Sequence, residues 1–274
     1  MQLFITSLNS GSNGNCYYVG NEREAVLIDA GISCRETEKR LKRLGLCLSK
    51  VKAIFVSHEH SDHIRGIPQL ARKYQLPVFI TPRTLQNSGL PVERFPIRPF
   101  RAHEPVWVGE LCITAFPKHH DAIDAHSFTV GYQDTTVGIF TDIGVPCEQL
   151  IQYFSQCHAA FLEANYDEEM LEKGRYPYLL KRRIRGGKGH LSNKQAFDLF
   201  TAYKPAFMRY LLLSHISKDN NCPQRIMDLF TPQANGTEII IASRFQETAV
   251  YRVNAINETL TSPATLPFAT LLEV

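Results

Sequence analysis

The sequence predicts a mixed α/β fold with much antiparallel sheet, and three observations carry that expectation. First, apolar runs recur that each end on or shortly before a residue able to bind metal or move protons: 26–28 at Asp29, 54–56 before His58, 113–116 before His119 and His120, 137–140 before Asp142, and 210–213 before His215. Second, segments with helical spacing lie between those runs. Third, no fixed-period repeat, low-complexity stretch or linker interrupts them, so one domain over 1–274 is expected. Buried strands commonly carry sites at one end of a sheet, so the five ends are expected to converge on one cleft.

In chain order, 3–8 reads as a strand. The turn Asn9-Ser10-Gly11-Ser12-Asn13-Gly14-Asn15 follows, either an anion-binding nest of backbone N–H groups or a plain hairpin connection. Strands at 16–19 and 25–28 come next. Ser33 and Glu36 have capping-box spacing, Leu41 and Leu44 supply an apolar face, and Gly45 stops that helix. The strand 53–56 then runs into Ser57-His58-Glu59-His60-Ser61-Asp62-His63, after which Ile64, Ile67, Leu70, Ala71 and Tyr74 recur at helical spacing. Further on, 106–108, 127–132 and 161–164 look sheet-like, whereas 149–154, 168–173, 194–203 and 223–230 look helical. The basic run 181–188 precedes Gly189-His190-Leu191-Ser192-Asn193, where the capping-box spacing of Ser192 and Gln195 puts His190 beside a helix N-terminus suited to an anion. Trp107 and the scattered Phe and Tyr residues are expected in the core, although Tyr17, Tyr18 or Tyr166 could stack on a base from the cleft. His103, His126 and His158 stand alone and read as ordinary hydrogen-bonders.

Composition sets limits. With 44% hydrophobic residues the chain can bury a large core, and a net charge of +3 gives no strong overall pull toward nucleic acid or membrane. The first ten residues lack the form of a signal peptide, and no apolar run is long enough to span a bilayer, so a cytoplasmic protein without a membrane partner is expected. Seven scattered cysteines without a C-x-x-C pair are expected as free thiols.

The heptapeptide 57–63 concentrates three imidazoles and two carboxylates. A strand running into a loop keeps period-two geometry briefly, so His58 and His60 can point the same way and share an ion, while Asp62 and His63 at the following helix start can face a second. Imidazole with carboxylate suits Zn, Mn or Fe, and a site short of protein ligands leaves a position for water.

His58-x-His60-x-Asp62-His63, with Asp29 upstream and His120, Asp142 and His215 downstream, resembles the metallo-β-lactamase fold. That resemblance implies a four-layer αβ/βα sandwich with a dinuclear metal centre at the sheet edge. It implies that His58, His60 and His120 hold one ion, that Asp62, His63 and His215 hold the other, that Asp142 bridges them, and that Asp29 orders the motif loop from behind. His120-Asp121-Ala122 matches the pattern, which sets His119 aside. The segments 10–15, 120–122, 141–144, 163–167, 189–193 and 214–217 further resemble the YycJ (WalJ) branch, bacterial proteins linked to 5′-to-3′ DNA exonuclease activity, although Tyr166 stands where some members carry histidine.

The function expected is hydrolysis of phosphodiester bonds, most readily from a DNA end and with DNA preferred to RNA. Two divalent ions lower the pKa of a shared water and stabilise entering and leaving oxygens. Asp142 would place the ions, Asp62 would orient the water, and His190 would bind phosphate or protonate the leaving oxygen. Ser12, Asn13, Asn15, Ser192 and Asn193 are the expected phosphate contacts. The rivals are a glyoxalase-II-like thioester or other small-substrate hydrolase and a metal-binding protein without turnover. The sequence does not fix the oligomeric state.

Overall fold

The computed structural model describes residues 2–255. The expected single domain extends to 256–274, which lie outside the described residues. Two seven-stranded sheets form the centre. The first is built from β1 (Leu3–Asn9), β2 (Cys16–Gly20), β3 (Ala25–Ile28), β4 (Val51–Phe55), β5 (Val78–Phe79) and β6 (Ile97–Arg98). The second contains β7 (Pro105–Val108), β8 (Leu111–Pro117), β9 (His126–Tyr132), β10 (Thr135–Phe140), β11 (Ala159–Glu163), β12 (Tyr210–Ser214) and β13 (Glu238–Ile241). The last strand among the described residues, β14 (Tyr251–Val253), returns to the first sheet and pairs antiparallel with β1. Each sheet is half antiparallel and half parallel, the parallel halves being β3 to β6 and β10 to β13.

The strands are apolar on both sides because both sides are covered. Tyr17, Val19, Val26, Ile28, Ala53 and Phe55 from the first sheet meet Ile113, Phe128, Val137, Ile139 and Phe161 from the second in one shared core. Their neighbours at period two, such as Tyr18, Leu27 and Ile54, face outward under α1 (Cys34–Arg43) and α3 (Ile67–Tyr74), which follows the short α2 (Ser61–Ile64). On the second sheet Ala160, Leu162, Leu211 and Leu213 lie under α5 (Glu148–Phe154), α8 (Asn193–Tyr203) and α9 (Pro223–Phe230). The layers are therefore helix, sheet, sheet, helix. Phe55, Phe128 and Phe161 are fully buried between the sheets, and truncating any of them to Ala should cost roughly 3–5 kcal/mol.

Several expectations change. The helix after His63 is two pieces, because Gly66 lies against backbone: its N–H bonds Ala30 O at 2.8 Å, and a Cβ there would stand 1.9 Å from Ile32 O. The helix α4 (Pro82–Ser88) lies where no element was expected. After α6 (Glu168–Lys173) comes a further unexpected helix, α7 (Tyr178–Arg185), which takes up most of the basic run. Strands β13 and β14 are likewise additional. Trp107 is not core: β7 is the edge of its sheet, and the indole is 65% exposed. All seven cysteines are free, and no helix among the described residues is long and apolar enough to cross a membrane.

Candidate metal centre

The chemistry gathers where the parallel strands end. β3 delivers Asp29, β4 the 57–63 loop, β10 Asp142, β11 Glu163 and β12 His215, while antiparallel β8 supplies His120 from the side. Asp29, Asp142 and His215 leave their strands in the left-handed region, with φ of 59°, 56° and 53°. Such conformations cost on the order of 1–3 kcal/mol each in residues other than glycine and persist when the surroundings over-determine them. Here Asp29 N bonds Phe55 O at 2.8 Å, and His215 N bonds Ser10 Oγ at 2.7 Å.

Two ligand clusters form around Asp142. His58, His60 and His120 bring one nitrogen each within 4.8 Å of one another, and Asp62, His63 and His215 do the same with their ligand atoms. Asp142 lies between, Oδ2 being 3.3 Å from His63 Nε2 and Oδ1 3.5 Å from His215 Nε2 and 3.8 Å from His120 Nε2. His119 is exposed and outside both clusters.

Behind the ligands lies a layer that the sequence showed only in part. Asp29 accepts from Ser57 N and Ser57 Oγ, each at 2.8 Å, and pairs with His63 Nδ1 at 2.7 Å, without touching the cluster centres. Glu163, fully buried, does the matching work on the other side and was not anticipated. Its Oε1 accepts from His190 Nδ1 at 2.8 Å and His215 Nδ1 at 3.0 Å, while Oε2 accepts from Ile143 N at 2.7 Å. Lys118, also unanticipated, donates to Thr141 O at 2.7 Å and so tethers the backbone just before Asp142. A signal for Glu163 existed, since it too ends an apolar run, but a single carboxylate has no visible partner until β11 and β12 pair.

Electrostatics divide the imidazoles. Burial pushes His58 well below its ordinary value and His120 down to about 4, so both are neutral and ready to donate a lone pair. Burial also opposes charge on His63 and His215. There it is overridden: Asp142 with Asp29 and Asp62 lifts His63 well above its usual range, and Asp142 with Asp62 and Glu163 lifts His215 to about 10. Against burial, His215 and His63 hold Asp142 well below the usual carboxylate range. Yet His120 Nε2, His215 Nε2 and Asp142 Oδ2 are buried without a hydrogen-bond partner. Orphaned buried polar atoms are costly unless a cation completes them, and the histidine–carboxylate donors around these three fit divalent metal.

The expected phosphate contacts separate into two groups. Ser12 and His190 line a cleft of about 220 Å³ that opens beside the clusters. Asn15 does not; it is fully buried, and its Nδ2 contacts His63 Nε2 at 3.0 Å and donates to Asp62 Oδ2 at 3.2 Å, so it steadies ligands. Asn13 is exposed and donates to Arg244 O. The nest is largely spent internally, because Gly11 N bonds Asn15 Oδ1, Gly14 N bonds Gly11 O, and Asn15 N bonds Asp62 O. Ser192 and Asn193 are buried caps: Ser192 Oγ accepts from Gln195 N and donates to Glu168, Asn193 N bonds Tyr166 O, and the Asn193 side chain pairs with Asn221. Their donors are committed and do not face the cleft. Tyr17, Tyr18 and Tyr166 are also buried, at 0%, 1% and 4% exposure, and cannot stack on a base.

A family model described as the beta-lactamase superfamily domain matches residues 24–216. The chain is 34% identical over 226 residues to exodeoxyribonuclease YycJ of Bacillus anthracis, covering 81% of this chain and 85% of that protein. It is 30% identical over 219 residues to exodeoxyribonuclease WalJ of Streptococcus pneumoniae, covering 78% and 81% respectively. In fold it resembles the metallo-beta-lactamase fold protein YhfI from Bacillus subtilis, with a TM-score of 0.71 at 16% identity over 92% of this chain and 100% of that one. With two sheets between helices and a histidine–carboxylate centre at their edge, the chain belongs to the metallo-β-lactamase superfamily, in its YycJ (WalJ) branch, and is a metal-dependent hydrolase.

Proposed function

We propose that the protein is a dinuclear phosphodiesterase that removes nucleotides from DNA ends in the 5′-to-3′ direction. The observation that supports the dinuclear part is the placement of Asp142 between two three-ligand clusters, with one buried, unpaired ring nitrogen in each, His120 Nε2 and His215 Nε2, and its own Oδ2 likewise unpaired. The names of the YycJ and WalJ relatives support DNA as substrate. Two divalent ions, Zn, Mn or Fe, would supply Lewis acidity for an in-line displacement at phosphorus.

The chain's own residues do the rest. His58, His60 and His120 would hold one ion, Asp62, His63 and His215 the other, with Asp142 common to both. Asp62, the partly open member of its cluster, would accept a hydrogen bond from the attacking water. Glu163 takes His190 Nδ1, which leaves Nε2 as the atom that meets substrate, either to bind a phosphate oxygen or to hold a proton for the leaving oxygen. Ser12 is the remaining phosphate contact at the cleft mouth, and among the described residues no separate domain covers the cleft, so a strand end can enter it.

The test is digestion of 5′-phosphorylated and 5′-hydroxyl, single- and double-stranded DNA and RNA by protein loaded with Zn or Mn, beside a glutathione thioester and a β-lactam. Metal-dependent release of nucleotides from 5′ ends is expected. Intact nucleic acid with a cleaved thioester would replace this reading with that of a carbonyl hydrolase.

A further inference from the structure

The cleft beside His190 does not have the walls of a pure phosphate site. α7 turns Leu180, Arg183 and Ile184 into it at helical spacing, with Tyr176 arriving just before the helix. Two of those four side chains are aliphatic and one is aromatic. The cation among them is already neutralised, because Arg183 Nε bonds Asp121 Oδ2, and Arg185 of the same helix pairs with Glu172 at 2.9 Å. A guanidinium held by a carboxylate is a weak phosphate receptor but a good flat partner for a π system, having little freedom left to lose. The volume of about 220 Å³ lies below the roughly 300–1,000 Å³ of pockets that enclose a drug-sized ligand, so one ring system fits and a base pair does not.

We propose that this cleft is a subsite for one unpaired nucleobase, the terminal base of a strand, held against Tyr176, Leu180, Arg183 and Ile184 while its phosphate lies toward His190 and the metal clusters. The proposal deepens the nuclease reading and rests on it for the identity of the ligand. The wall and the catalytic edge are joined directly: Asp121, which holds Arg183, adjoins His120 and comes within 3.4 Å of its Nε2. A base seated on α7 is therefore sensed next to a metal ligand. The subsite also asks the terminal pair of a duplex to open before its nucleotide can be seated.

The experiment titrates metal-loaded protein by calorimetry with deoxyadenosine monophosphate, deoxyribose 5-phosphate and inorganic phosphate. Stacking against protein side chains should make the mononucleotide bind at least about tenfold more tightly than the base-free sugar phosphate. Ile184→Trp, which fills the cleft, should erase that difference and leave the sugar phosphate unaffected. Ile184→Ala, which cannot obstruct folding by bulk, should shrink the difference. Leu179→Ala on the outer face of α7, 75% exposed, should change nothing. Equal binding of mononucleotide and sugar phosphate, or a difference that survives Ile184→Trp, overturns the subsite. The separate digestion keeps the two readings apart: cleaved DNA with no base-dependent binding defeats the subsite alone, and base-dependent binding with intact DNA defeats the nuclease reading alone.

Discussion

The two ligand clusters are built from similar side chains and differ in what stands behind them. In the first, His58 Nδ1 meets Ser57 Oγ at 2.9 Å and His120 Nδ1 meets Gly189 O at 3.1 Å, both neutral oxygens. In the second, His63 is backed by Asp29 and His215 by Glu163, both buried carboxylates. Neutral backing with burial keeps an imidazole unprotonated, whereas carboxylate backing makes it more basic, a better donor to metal but one that must first lose a proton. On the dinuclear reading the first cluster would be preset for metal, and the second would take its ion in exchange for protons.

The largest effect should come from the residue common to both. Asp142→Ala should lower metal content by at least one ion per chain and reduce kcat by roughly a hundred- to a thousandfold, as expected when several kcal/mol of charge stabilisation are removed. Elemental analysis with single-turnover kinetics checks this, and retention of both ions with full activity would sink the dinuclear assignment.

Next, the carboxylates should separate the clusters. Glu163→Gln keeps the volume but removes the charge behind His215 and His190, so metal affinity of the second cluster or activity should fall about 10–100-fold while one ion stays bound. Asp29→Ala should weaken metal binding by a similar amount and spread it over both clusters, because Asp29 holds the Ser57 backbone as well as His63. Stoichiometric metal titrations distinguish the two patterns. Unchanged metal binding in Asp29→Ala with only a lower Tm would make Asp29 a plain structural carboxylate.

The proton exchange can be read directly. At pH 7.5, calorimetry in buffers of different ionisation enthalpy should show one ion bound with little proton release and the other with clear release. In metal-free protein the same asymmetry shapes stability. His215, raised from 6.5 to about 10, contributes fully below pH 6.5 and loses that contribution as pH rises toward 10. His120, lowered from 6.5 to about 4, costs stability as pH falls through that interval. Chelator-treated protein should therefore have its highest Tm near pH 6.5, and saturating metal should flatten the profile; a flat metal-free profile would contradict the contrast between the clusters.

The smallest effect lies outside both. Arg183 and Arg185 are paired, whereas Arg182 and Lys188 have no ion pair among the described residues. Arg182→Ala with Lys188→Ala should weaken DNA binding uniformly across sequences and lower the slope of log K against log salt by about one for each phosphate that is no longer neutralised. Metal content should not change.

Much of this site could be read from the chain because strands covered on both faces are continuous apolar runs, and the residue that ends such a run stands out. The 57–63 motif, Asp142 and His215 were visible for that reason. Glu163 was not, since its role exists only once β11 and β12 pair and both His190 and His215 come within reach. The start of α8 misled in the opposite sense: its capping residues looked like an anion site, but the sequence does not show that Glu168, Tyr166 and Asn221 take up their hydrogen bonds. In α7, four basic residues hid the spacing of Leu180 and Ile184, although Pro177 before the helix and Gly186 after it marked both ends.

The return of β14 to β1, with Leu3 opposite Val253, matters during synthesis. A chain made from its N-terminus exposes the free edge of β1 until nearly 250 residues later, after the whole second sheet has emerged. The same late segment reaches the site, since Ser10 N bonds Ser243 O while Ser10 Oγ receives His215 N. A nascent chain can thus carry all seven proposed ligands and still lack the segment after β13 that holds Ser10, so competence should arrive with that segment and not with His215.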